Sequence, residues 1–414
     1  MTGGLLQLAA YGEQNEFLNG NPQITYFKSG YKRYTNFALE MIEQDFHGEV
    51  NFGKKVYCQF DRKADLIHRI YLYIELPALM TAEEIASSGP VYYSWVNSIG
   101  NAIIHNVEIQ IGDQIIDKLY GVWLEIWNEL TLDDSQIPGY NTLVGKHDFF
   151  NVSTQPGPLR LYVPLPFWFC KNIGCALPLI AIQYNNIRLN LSFRQFNELV
   201  ISSNGVLPAV VPNITKSYLS VEYIYLETEE RRVFAQSNHQ YLIDQLQINT
   251  FDVNPSLEVI NMKLEFNNPV MAFYWYIQNQ NVLNLVPGGG NEWFNFSSVP
   301  TTVGIPPADS LIEGHFYIEG NEVTKPLTYE FFRLIFPYQF HTRIPRNYIY
   351  MYSFSLKPEK YQPSGSLNVS RIDNLNLQLK LQPSWNNGTY SVNIFAHSYN
   401  ILDIQNGFVG VMYS

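Results

Sequence analysis

The stretch VEIQIGDQIIDKLYGVWLEIWNEL, residues 107–130, decides how the chain is read. Val107, Ile109 and Ile111 alternate with Glu108 and Gln110, the two-residue period of a strand with one buried face. Gly112 and Asp113 form a tight-turn pair, and a second strand leads back from them. The period then changes, because Tyr120, Trp123, Leu124, Trp127 and Leu130 fall on one face of a helix. This hairpin-then-helix unit occurs twice. FYIEGNEV, residues 316–323, turns at Gly320 and Asn321, and PLTYEFFRLIF, residues 326–336, sets Leu327, Phe331, Leu334 and Ile335 at helical spacing. Farther along, NNIRLNLSF (185–193) matches DNLNLQLKL (373–381), with Ile187 over Leu375 and Leu189 over Leu377. The same alternation marks RIYLYIEL (69–76) and INMKLEF (260–266), so each sheet buries one face, as in antiparallel sandwiches. A duplicated β-sandwich is the expected architecture.

Length and composition agree. A chain of 414 residues exceeds what one hydrophobic core usually supports, which points to two domains. The expected division is an arm over 1–25, a first sandwich over 26–212, a linker over 213–222 and a second sandwich over 223–414. The linker is read from ELVISSNGVLPAVVPNITKS, residues 198–217, rich in turn formers near mid-chain. Aromatic residues are 15% and 26 Gly and 23 Pro punctuate the chain, which favours many short strands over long helices. Charged residues are only 15%, against about 25% in an average soluble protein, so much of the surface is uncharged and suited to packing against further copies. Cys58, Cys170 and Cys175 form no disulfide framework and no paired zinc motif, and suggest assembly in a reducing compartment. The N-terminus lacks a secretory pattern and no apolar run is long enough to span a bilayer, so the chain reads as soluble and cytosolic.

GNPQITYFKSGYKRYTNF, residues 20–37, interleaves Lys28, Lys32 and Arg33 with Tyr26, Phe27, Tyr31, Tyr34 and Phe37, the mixture used by single-strand nucleic-acid binders. A formal charge of -11 and a pI near 5.2 argue against that use, since polyanion binding needs clustered cations.

Several long motifs carry a family resemblance. GGLLQLAAYGEQNEFLNGNPQITYFKSGYKRYTNFALE (3–40), CALPLIAIQYNNIRLNLSF (175–193), YIYLETEERRVFAQSNHQYLIDQLQ (223–247), FNNPVMAFYWYIQNQ (266–280) and KPEKYQPSGSLNVSRIDNLNLQL (357–379) stand in the family's order. On these motifs the chain resembles, end to end, the major capsid proteins of large eukaryotic double-stranded DNA viruses of the algal-virus type. The resemblance implies an all-β double jelly roll, two tandem eight-stranded antiparallel sandwiches with short helices in the loops. It further implies homotrimers of near-hexagonal outline that tile an icosahedral shell with neighbouring capsomers, minor capsid and penton proteins. That shell lies over an inner membrane, with assembly in the host cytoplasm and no direct nucleic-acid contact. Residues 1–25 would then be an arm at the inner side, with Lys28, Lys32 and Arg33 meeting acidic neighbours, minor proteins or lipid headgroups. For this family the chain is short, so modest outer loops are expected.

No enzyme motif is present: HExxH, GxSxG and a phosphate loop ending in Lys-Ser/Thr are all missing, and the eight histidines are scattered. No catalytic, cofactor or metal site is expected. PGGGNEW, residues 287–293, lacks the lysine and helix of a phosphate cradle and reads as a flexible loop. In the run Glu229–Glu230–Arg231–Arg232, Arg231 and Arg232 are candidate assembly contacts, the plainer alternative being a solvated turn between strands. Of the Asn-X-Ser/Thr sequons, Asn151, Asn295 and Asn387 lie in loop-like stretches and are the candidate glycosylation sites. Two rivals remain at this point. One is a minor capsid or penton component. The other is a carbohydrate-binding or carbohydrate-active β-sandwich, whose paired carboxylates cannot be picked out of the sequence.

Overall fold

The computed structural model describes residues 2–80, 92–147, 158–253, 257–300, 306–382 and 388–413. It divides into Met1–Phe37 and Ala38–Ser414. The first unit carries two short helices, Gly3–Ala9 and Glu13–Asn19, and none of its described residues is buried.

The first sandwich is built from β1 (Phe37–Gln44), β2 (Lys55–Gln59), β3 (Leu66–Leu76), β4 (Ile104–Ile111), β5 (Gln114–Tyr120), β6 (Leu159–Pro164), β7 (Ile187–Phe193) and β8 (Lys216–Leu226). These form two sheets in the orders β1-β8-β3-β6 and β2-β7-β4-β5. The second sandwich has β9 (His239–Val253), β10 (Val259–Lys263), β11 (Pro269–Asn279), β12 (Leu311–Ile318), the interrupted β13 (Asn321–Glu322 and Leu327–Thr328), β14 (Ile349–Ser353), β15 (Leu375–Leu381) and β16 (Tyr390–Gln405). Its sheets run β9-β16-β11-β14 and β10-β15-β12-β13, the same order moved on by eight. Even a minor strand is repeated: Leu177–Pro178 pairs with β3 and Leu367–Asn368 with β11, each between the sixth and seventh strands of its sandwich. This is a double jelly roll.

The alternation read from sequence sets the inner faces. On β3, Ile70, Leu72, Ile74 and Leu76 are buried while Arg69 is exposed; on β15, Leu375, Leu377, Leu379 and Leu381 are buried. The β9-β16-β11-β14 sheet departs from the one-face rule. Phe273, Trp275 and Ile277 of β11 enter the second core, whereas Ala272, Tyr274 and Tyr276 join the core of the first sandwich, as do Phe395, Leu402 and Ile404 of β16. Both faces are dry, so these strands read as continuous apolar runs.

Several expectations need correction. Residues 213–222 are not a linker, because β8 pairs with β3 from Lys216↔Glu75 to Ile224↔Leu66 and completes the first sandwich. The connector is instead the helix Thr228–Gln236, so the Glu229–Arg232 run is helical and not a turn between strands. Residues 26–36 contribute no strand to the first sandwich. The second hairpin turns at Glu319 and Gly320, with φ of 49° and 78°, between Ile318 and Asn321. Two successive positive φ values fit the twist of the flanking strands.

Candidate assembly surfaces

The helix Gly121–Thr131 follows β5 and is buried on nearly every side, not along one stripe. Its tryptophans reach the second sandwich. The Trp123 ring centroid lies 5.3 Å from those of Tyr274 and Phe395, and Trp127 lies 5.2 Å from His397. Polar contacts flank this aromatic wedge. Glu129 Oε1 and Glu125 Oε1 each accept from Lys146 Nζ at 2.5 Å, and Glu129 Oε2 accepts from Arg343 Nη2 at 3.0 Å. Arg343 Nε also donates to the Glu129 carbonyl at 2.9 Å, and the Arg346 N–H to its carboxylate at 3.2 Å. Burial pushes the Glu129 carboxyl up, but Lys146 and then Arg343 outweigh it and hold the group below its usual range. On the other flank Lys171 pairs with Asp244 and stands 4.4 Å from the Trp127 ring centre, and His397 Nε2 is 2.6 Å from Asp244 Oδ2.

PGGGNEW is an ordered clamp. Gly288 N–H donates to Ser202 O at 2.9 Å, Asn291 Nδ2 to Asn197 O at 2.8 Å and Val200 O at 2.9 Å, and Trp293 Nε1 to Glu198 O at 2.7 Å. Arg194 of the first sandwich lies 3.5 Å from the centre of the Trp293 ring, and burial pulls that guanidinium down to about 10. At Gly290, φ is +90° and a Cβ would stand 2.2 Å from Asn284 O, so only glycine fits.

The duplication gives this internal seam an uncovered counterpart. In the first sandwich the equivalent sheet, β1-β8-β3-β6, shows part of its outer face to solvent: Leu39, Met41 and Tyr162 are 51%, 50% and 40% exposed, while Tyr73 and Tyr218 stack into a buried row beside Tyr162. In the second, the helical segment after β13, Phe331–Phe340, matches the tryptophan helix. It leaves Phe331, Leu334 and Tyr338 exposed by 37%, 38% and 76%, at the spacing of one helix face.

The sequence-predicted residues fall in different places. Arg231 Nε lies 2.9 Å from Asp65 Oδ1, a buried carboxylate whose Oδ2 accepts the Leu226 N–H, so the connector is pinned to the first sandwich. Arg232 pairs with Glu229 one helical turn earlier, at 2.8 Å. Lys28, Lys32 and Arg33 are exposed. Asn295 is 3% exposed and its amide nitrogen donates to Glu292 and Val299, which takes it out of reach as a glycan acceptor; Asn151 and Asn387 lie outside the described residues. Among the described residues no group of three or more His, Cys, Asp or Glu could hold a metal. The seam residues Asp117, Glu125, Glu129, Lys146, Lys171 and Asp244 were missed. The available signal was Glu125 and Glu129, four apart inside an otherwise apolar helix, since carboxylates there require buried cations.

Paired jelly rolls of identical strand order, joined by a broad seam and displaying the two halves of a second one, define a subunit that builds larger surfaces. The chain belongs to the major capsid protein family of large eukaryotic DNA viruses. Residues 25–227 match the profile of the major capsid protein N-terminus, and 230–410 that of the large eukaryotic DNA virus major capsid protein. The chain is 39% identical to the major capsid protein of Pyramimonas orientalis virus and 35% identical to that of Phaeocystis pouchetii virus, over 100% of both chains in each case. A chain of the PBCV-1 virus capsid superimposes with a TM-score of 0.78 at 28% identity, covering 94% of this chain and 100% of that one. The role is therefore that of a structural capsid subunit which assembles with other capsid subunits, and the carbohydrate-binding alternative falls away.

Proposed function

We propose that the chain works as a homotrimer, in which the contact made inside one chain is repeated between chains. The Phe331–Leu334–Tyr338 face of one copy packs on the Leu39–Met41–Tyr162 face of the next. Such a contact joins two different patches, so it is heterologous and must close into a ring or run on as a filament. With two equivalent modules per chain, closure at three chains gives six modules and a near-hexagonal capsomer that tiles an icosahedral shell. The observation carrying this reading is the pair of bare surfaces at positions whose counterparts are buried within the chain.

In this reading function is assembly and not catalysis, in the virion, with assembly in the host cytoplasm. The arm extends toward the inner side, where Lys28, Lys32 and Arg33 meet acidic neighbours, minor capsid or penton proteins, or headgroups of an inner membrane. Arg231 and Arg232 lie on the connector helix, where Arg231 is held by the buried Asp65 and Arg232 by an exposed pair with Glu229 that adds about 0–1 kcal/mol, so neither is a strong contact to a further subunit. Native mass measurement tests the reading: three chains are expected, and a monomer at micromolar concentration rejects it.

A further inference from the structure

Where β5 of the first sandwich meets β9 of the second, Gln245 Nε2 donates to Ile116 O at 2.5 Å and the Leu246 N–H donates to Asp117 Oδ1 at 3.2 Å. Asp117 also accepts its neighbour's N–H, from Lys118, at 2.9 Å, and it is buried. A second carboxylate, Asp244 of β9, stands near it, already engaged by Lys171 and His397. The Lys171 ammonium is thus taken up by the half-buried Asp244, and the buried Asp117 is left without an ion-pair partner among the described residues. We propose that this cluster is a proton-operated latch between the two sandwiches, closed with a proton on Asp117 and loosened when that proton leaves.

The surroundings of Asp117 set the behaviour. From its own strand come Lys118, whose ammonium is turned away to Glu108 at 2.8 Å, and Tyr120. From β9 comes Asp244, with His397 and Tyr399 of β16 acting on Asp244 in turn, and from the helical turn Trp168–Lys171 comes Lys171. Behind Asp244 lie Cys175 and Tyr361, and behind His397 the His341–Glu359 pair. Burial, then Asp244, push the Asp117 carboxyl up to about 7, against the two backbone N–H donors and Lys171. A carboxyl freed by opening the joint titrates near 3.8. The closed joint therefore binds the proton more tightly. Its advantage is complete below pH 3.8, declines as pH rises and is gone above about 7. His397 acts in the opposite sense. Burial and then Lys171 lower its pKa, so it weakens the closed joint only as pH falls below 6.5.

The Asp117→Asn variant separates the two, because it fixes the joint in its protonated form. Hydrogen exchange of the full-length protein, corrected for intrinsic pH dependence, is followed at pH 5.5 and 8 over residues 114–120 and 239–253. In the wild type, protection of these strands drops at least about tenfold more between the two pH values than in Asp117→Asn, as a proton-coupled opening requires. Equal pH dependence in both proteins overturns the latch. Should the variant not fold, the carboxyl titration of aspartate-labelled wild-type protein decides: a carboxyl with a midpoint between pH 6 and 8 supports the proposal, and none in that window overturns it.

Discussion

Lys146, Arg343 and the Arg346 backbone all converge on Glu129 at the seam. Replacing it with Gln leaves the half-buried Arg343 short of its carboxylate and Lys146 with Glu125 alone, and breaking a pair whose carboxylate is buried costs up to about 3–5 kcal/mol. Glu129→Gln is therefore expected to lower the denaturant midpoint strongly. Its own carboxyl is held below the ordinary value of 4.5, so the stability it adds is present above pH 4.5 and lost as pH falls through the folded-state value. Acid titration of unfolding should accordingly show a steeper low-pH loss in the wild type than in Glu129→Gln. At this scale the sequence is least legible. Glu125 and Glu129 stand out against their apolar helix, but Lys146 stands 17 residues on from Glu129 and Arg343 214 residues on, and no local pattern links them. Likewise nothing near Asn295 announces that a loop sequon is folded inward.

Strands were legible because a two-residue period survives wherever one face is wet, as on β3, β7 and β15. The helix Gly121–Thr131 was legible in extent, whereas its burial on nearly all sides follows from the second sandwich closing over it. The linker was misplaced because turn formers at 204–213 mark a loop inside the first sandwich, and the true connector is a helix of charged residues. The glycines of PGGGNEW read as a flexible loop, yet Gly290 is what lets the clamp fold tightly onto Asn284. Gly290→Ala should destabilise the protein by about 2 kcal/mol or more, from steric overlap and a positive φ together, with earlier proteolysis within 284–295; an unchanged melting curve would argue against the clamp. Deleting residues 1–25 removes no buried residue among the described ones. That truncation should leave the melting temperature and trimer mass unchanged while impairing assembly of ordered arrays in electron micrographs; normal arrays from it would show the arm to be dispensable.

For the whole molecule, duplication explains both what is stable and what is left open. One jelly roll covers the outer face of a sheet in the other, and the chain ends with a matching helix and a matching sheet face still uncovered. The most direct test uses two single variants, Leu39→Glu on the sheet face and Leu334→Glu on the helix face, measured by native mass spectrometry alone and mixed in equal amounts. Each alone should be a folded monomer, because every copy then lacks one side of the contact. Mixed, the intact helix face of Leu39→Glu should dock on the intact sheet face of Leu334→Glu, giving dimers of one copy each. Three-chain masses from either variant alone would contradict the account.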